Sequence, residues 1–174
     1  MKFAIAVAVA IAIAAALLSG CTAMVGGQPR ADPTLPVDDF PSTVGLHEVD
    51  SETFWIRDGN PEYGFGFVTP NGLTCDMTSY ISPEYAHASC WGLRPDRGPG
   101  YWEVYAEKYE TTTISAATPP DPTEPVRHEP KELPRGSYVI DSPDTLCAVT
   151  DDLTVACHVG GHGFILTATS SVLF

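Results

Sequence analysis

Basic side chains are scarce in this chain of 174 residues: nine Lys and Arg stand against 22 Asp and Glu, a formal net charge of −13. Binding to nucleic-acid phosphates needs clustered Lys and Arg, so a nucleic-acid partner is excluded. The acids are scattered rather than gathered in runs, and the charge reads mainly as a solubility device. Also missing is any apolar run of the roughly 20 residues that a spanning helix needs. There is no C-x₂-C pair of the kind that marks a zinc site. Nor is there a G-x-S-x-G elbow, an H-E-x-x-H helix or a phosphate-cradling glycine loop closed by Lys and Ser. The sequence implies no cofactor, and catalysis is the less favoured class of function.

What the chain does have begins at its start. After Lys2, residues Phe3 to Leu18 are drawn only from Phe, Ala, Ile, Val and Leu, and the run closes on Leu18, Ser19, Gly20 and Cys21. Small residues before a cysteine at the end of such a run form a lipoprotein processing site, so residues 1–20 read as a lipoprotein signal peptide. The mature protein is then expected to begin at a lipidated Cys21. A thioether-linked diacylglycerol with an N-linked acyl chain such as palmitate supplies more than one buried chain, which makes membrane anchoring stable. The implied location is the outer face of the cytoplasmic membrane. Residues 21–40, with Gly26, Gly27, Pro29, Pro33 and Pro36 and no apolar period, read as a flexible tether. Residues 41–174 are of a length for a single domain.

Four cysteines remain after Cys21, and an even count in an exported chain reads as a disulfide framework. Three pairings are open to Cys75, Cys90, Cys147 and Cys157. Each sequential pair brackets a hairpin-length segment, which favours Cys75–Cys90 and Cys147–Cys157. Closing a loop of about 15 residues contributes on the order of 3 kcal/mol in the chain-entropy model.

The domain reads as short strands. Gly64 to Thr69, Ala86 to Trp91, Tyr138 to Ile140, Leu146 to Val149, Thr154 to Val159 and Gly163 to Thr167 are separated by Gly, Pro, Ser and Asp turns. Trp102, Val104 and Ala106 alternate with Glu103, Tyr105 and Glu107 at strand period; Trp102, Tyr105 and Tyr109 also lie at helical spacing, so a short helix over Tyr101–Tyr109 is the structural alternative. Residues 115–134, with six prolines, read as an extended exposed loop, and its Thr/Pro content also suits O-glycosylation. The expected fold is mainly β: a small antiparallel sandwich or partly open barrel stapled by two disulfides.

The two cysteine pairs echo one another. Val68 to Met77 (V-T-P-N-G-L-T-C-D-M) and Asp141 to Val149 (D-S-P-D-T-L-C-A-V) each place a proline turn before Leu and Cys, and each returns to a second Cys. These units, with the later stretch Gly161-His162-Gly163-Phe164 and the terminal Phe174, resemble a family of small uncharacterised exported actinobacterial proteins. The likeness covers about 110 residues discontinuously and is most specific over Leu146 to Leu166. It departs at Thr167, where the family continues Ser-Arg, and in the long proline loop. It implies two cysteine-bearing β units on an exported, mycobacterial-type lipoprotein, and no activity.

Several residues carry candidate chemistry. His158 and His162, four apart, form a weak metal-ligand pair, since imidazole suits zinc, copper or nickel; the glycines between them argue for a turn instead. An acid such as Glu103 or Asp141 beside His162 is the arrangement an envelope enzyme would need. Asp141, Asp144, Asp151 and Asp152 read as turn residues rather than calcium ligands. The stronger lead is aromatic: Trp91, Tyr101, Trp102, Tyr105 and Tyr109, with Arg94 and Arg97 nearby, have the composition of a recognition surface. The expectation is a lipid-anchored module that binds an envelope protein, lipid or glycan, with Trp91, Trp102, Tyr105 and His162 as its contact residues.

Overall fold

Alternation of apolar and polar residues marks several strands of the computed structural model, which describes residues 40–56, 64–78, 85–121, 123 and 130–174. The expected signal peptide, Cys21 and the tether through residue 39 lie outside the described residues. Two short strands, β1 (His47–Glu48) and β2 (Trp55–Ile56), flank a single 3-10 turn over Ser51–Phe54. A first meander follows: β3 (Gly64–Val68), β4 (Thr74–Thr78), β5 (His87–Leu93), β6 (Tyr101–Glu107) and β7 (Glu110–Ala117). After β8 (Lys131–Glu132), a second meander comprises β9 (Ser137–Ser142), β10 (Thr145–Val149), β11 (Val155–Val159), β12 (His162–Leu166) and β13 (Ser171–Leu173).

Each meander forms its own sheet. The first gives a seven-stranded sheet in the order β2-β3-β4-β5-β6-β7, with β8 also on β3; the second gives a six-stranded sheet in the order β1-β9-β10-β11-β12-β13. The sheets meet face to face, β11 over β5 and β6, and β12 over β6 and β7. Between them lie Phe67, Met77, Val104 and Leu133 from one side and Val139, Val159, Phe164 and Leu166 from the other, all fully buried. The expectation of a mainly β fold, sandwich or partly open barrel, holds: the described strands form two sheets, and neither closes into a barrel.

The leading strands are exchanged. β1 precedes the first meander in the chain, yet it pairs in parallel with β9 of the second, His47 beside Ser137. β8 precedes the second meander, yet it pairs in parallel with β3 of the first, Phe67 beside Lys131. Each ends in Glu followed by an inward apolar residue, Val49 and Leu133, whose amides donate to Tyr138 O and Val68 O, both at 2.9 Å. The short echo around the cysteines is thus part of a longer structural one.

Both disulfides have the expected partners and occupy equivalent places. Cys75 and Cys90 are direct cross-strand neighbours on β4 and β5; so are Cys147 and Cys157 on β10 and β11. All four cysteines face the core and are buried. A bond between opposed strands fixes register, and a one-residue slip would turn each buried face outward.

Two expectations need correction. Residues 101–109 form no helix: Val104 and Ala106 are buried while the intervening side chains face out, and β6 pairs on both sides, with β5 and β7. Strand period prevails because both neighbours satisfy its backbone. The proline segment is also less loop-like than expected at its ends. Ser115 to Ala117 complete β7, Lys131 and Glu132 form β8, and Leu133 is fully buried. Residues 118–121 are exposed, as expected of the loop's start.

Candidate functional site

Strand parity sorts the outward residues of the seven-stranded sheet into rows. Cys75 opposite Cys90 fixes the count: Asp76 faces Ser89, Ser89 faces Tyr105, and Tyr105 faces Thr113. The next row runs Thr74, Trp91, Glu103 and Ser115, and a third runs Thr78, His87, Glu107 and Glu110. Four carboxylates, five aliphatic hydroxyls, an imidazole, an indole and a phenol therefore share one surface. Strands β4 to β7 contain no Lys or Arg, so His87 is the one basic side chain on them.

An open depression of about 450 Å³ lies on this surface, lined by Asp76, Ser89, Trp91, Glu103, Ala117 and Thr118. Ser89 donates to Asp76 Oδ1 at 2.6 Å. Burial of the Asp76 carboxyl raises its pKa, and the Ser89 hydrogen bond and the nearby His87 oppose that rise. His87 stacks on Tyr105 with ring centroids 5.4 Å apart, and the Tyr105 hydroxyl donates to Glu107 Oε2 at 3.2 Å. The Tyr105 hydroxyl is pushed up to about 12, first by burial and then by the Glu107 charge. It is held as a neutral donor. The arrangement offers acceptors, a neutral phenol and a flat aromatic face to a polar ligand.

No family model, curated protein or solved structure matches this chain. The site must be read from its own geometry.

That geometry divides the expected contact residues. Trp91 and Tyr105 lie on the outward face, but Trp102 does not: it pairs with Gly92 and Ala116, on the side of Cys90 and Val104 that turns toward the second sheet. Residues 102 and 105 differ by an odd number, so on a strand they point to opposite faces. Arg94 is likewise unavailable. It is 3% exposed, paired with Asp96 at 2.8 Å and bonded to Ser170 O and Ser171 Oγ, so it ties the end of β5 to β13 of the other sheet. Arg97 lies beside the same aspartate at 3.5 Å.

The two histidines are also separated. His158 pairs with Gly163 and Val159 with His162 across the two-residue turn Gly160-Gly161, which puts the imidazoles on opposite faces of the hairpin. His158 meets Phe40 edge-on at 4.9 Å, and burial lowers its pKa. A shared metal ion does not fit this parity, and among the described residues no group of three His, Cys, Asp or Glu is placed to hold one. Glu103 faces away from the second sheet, to which His162 belongs, so those two do not form an acid and imidazole pair. The glycines of the turn act as expected: Gly160 has φ +59°, Phe164 is fully buried, and Gly163 leaves no room for a side chain.

Asp76 and Ser89 were not apparent as site residues in the sequence. The signal was present, however. Once Cys75 is joined to Cys90 across two strands, counting one residue outward places Asp76 opposite Ser89 and Thr74 opposite Trp91.

Proposed function

We propose that the protein is a lipid-anchored binding module of the cell envelope that acts through the outward face of its seven-stranded sheet. The anchoring half of this reading rests on Leu18, Ser19, Gly20 and Cys21 and the apolar run before them. Likeness to small exported actinobacterial lipoproteins supports the same compartment. The binding half is carried by one observation: the open depression where Asp76, Ser89, Trp91 and Glu103 converge.

Its chemistry selects a ligand class. An acyl chain needs enclosed apolar walls, and this depression is shallow with carboxylate and hydroxyl groups at its surface. A polar envelope component, glycan or polypeptide, fits better: hydroxyls or amines meet Asp76 and Glu103 while a flat apolar edge rests on Trp91. The test is retention of envelope fractions on the immobilised mature protein, with a Trp91→Ala, Glu103→Gln double variant beside it. Loss of about tenfold in retention by the folded variant is expected, a change of about 1.4 kcal/mol. Equal retention by both proteins refutes the assignment of the site.

A further inference from the structure

Among the described residues this sandwich has four sheet edges, and three are closed or short. β3 is covered by β2 and β8, and β9 by β1. β13 has three residues, and Phe174 after it exchanges hydrogen bonds with Gly163 at 2.8 and 3.0 Å. The fourth edge is β7, eight residues long, with no Lys and no Pro from Glu110 to Ala117. Proteins usually blunt such an edge with shortness, charge, Pro or a bulge. Here the register shift lies at the turn end, between Tyr105 and Glu107, and pairing from Thr113 to Ala117 is regular.

The direction of the free backbone groups follows from the disulfide. The Cα atoms of Cys75 and Cys90 are 4.0 Å apart, the close spacing of a non-hydrogen-bonded pair. Cys90 therefore turns its N–H and C=O toward Val104, and Val104 answers it. By the same alternation Val104 and Ile114 are a non-bonded pair. Ile114 and Ala116 thus direct their N–H and C=O away from the sheet, while Thr113, Ser115 and Ala117 bond to β6. Among the described residues, no backbone group meets that outward row.

The geometry points to β7 as a strand-addition site for an extended basic polypeptide segment. Only a chain with alternating N–H and C=O groups completes this ladder, which selects a polypeptide. Charge selects its side chains. An added strand lies about 4.8 Å beyond β7, so its outward residues sit two strands from Glu103 and Glu107, within reach of Lys or Arg stems. Its inward residues continue the row of Ile114 and Ala116 and suit small or β-branched side chains. A second copy of this chain, itself at −13, meets like charge. The inference shares Glu103 and Ala117 with the depression but uses the free edge of β7 rather than the face around Trp91, so Ala116→Pro and Trp91→Ala test the two separately.

The probe is the blocked peptide (Lys-Val)₄, titrated by fluorescence anisotropy onto the mature protein in detergent. Ala116 is exposed, and proline there removes an outward donor without breaking a bond to β6. Ala116→Pro should weaken binding by about fivefold or more, Ala116→Thr should not, and Trp91→Ala should leave it within about twofold. Hydrogen exchange on the wild-type protein gives a second readout, which decides the matter even if Ala116→Pro misfolds: the peptide should slow exchange at the Ile114 and Ala116 amides. Absence of binding, equal binding of a (Glu-Val)₄ peptide, or unchanged exchange at those two amides overturns the proposal.

Discussion

Replacing Gly163 by alanine should be among the most damaging single-methyl changes in this protein. The added carbon would start 2.4 Å from the carbonyl oxygen of Cys157, 2.6 Å from Cζ of Phe174 and 2.9 Å from Cα of His158. The phenyl ring can swing aside. The two backbone atoms cannot, because β11 is held by β10 and the Cys147–Cys157 bond on one side and by β12 on the other. Overpacking costs about 1–3 kcal/mol, and contact with fixed backbone puts this site near the upper end, about 3 kcal/mol. At about 2–4 °C per kcal/mol for a domain of this size, Tm should fall by about 6–12 °C. Gly161, two residues earlier in the turn that leads into β12, is the control, since a methyl there meets nothing within 4 Å. Its alanine variant should stay within about 0.5 kcal/mol of the wild type. Thermal melts by circular dichroism in one buffer compare all three proteins. A Gly163→Ala melt within about 2 °C of Gly161→Ala would refute the packing argument.

Three further outcomes follow from the same structure. Burial raises the folded-state pKa of Asp76, so its carboxyl favours folding while protonated and opposes it as pH rises through that pKa. Asp76→Asn, which keeps an acceptor for Ser89, should melt above the wild type at pH 7, and the gap should close by about pH 3, below the usual aspartate pKa of about 3.9; a gap that widens on acidification has the wrong sign. Arg94→Met leaves the buried Asp96 with only Arg97 at 3.5 Å and the Ser171 hydroxyl as partners and should cost about 3 kcal/mol in urea unfolding, with a loss under about 1 kcal/mol contradicting a structural role for the pair. Closing loops of 10 and 15 residues predicts losses of about 2.7 kcal/mol for a Cys147→Ser, Cys157→Ser variant and about 3.0 kcal/mol for Cys75→Ser, Cys90→Ser, read from urea midpoints.

Strands with apolar alternation were legible in the sequence, and strands without it were not. Tyr101 to Glu107 and Val155 to Val159 announce themselves because Trp102, Val104 and Ala106 in the first, and Val155, Cys157 and Val159 in the second, recur at every second position. β7 escapes that test: of its eight residues only Ile114 is a large apolar one. Its three threonines were the available signal, since β-branched side chains suit a pleated surface even when hydroxylated. β1, β2 and β8 are two residues each, below the length at which any period exists. The cysteine pairing was legible because both loops are hairpin-sized. The face assigned to each aromatic was not, because Trp91 and Trp102 lie on different strands and their relation depends on the length of the connection. Arg94 shows the converse difficulty: an arginine beside aromatics has the composition of a contact surface, and only the fold shows that Asp96 and Ser171 enclose it.

The exchange of leading strands makes the halves of this chain mutually dependent. Severing the backbone between Ala117 and Pro130 would not release two finished sheets. The first fragment would carry β1 with no β9 to receive it, and the second would carry β8 with no β3. Each fragment would hold the missing border of the other, so the pair is suited to reassembly as a split protein, and neither is suited to folding alone.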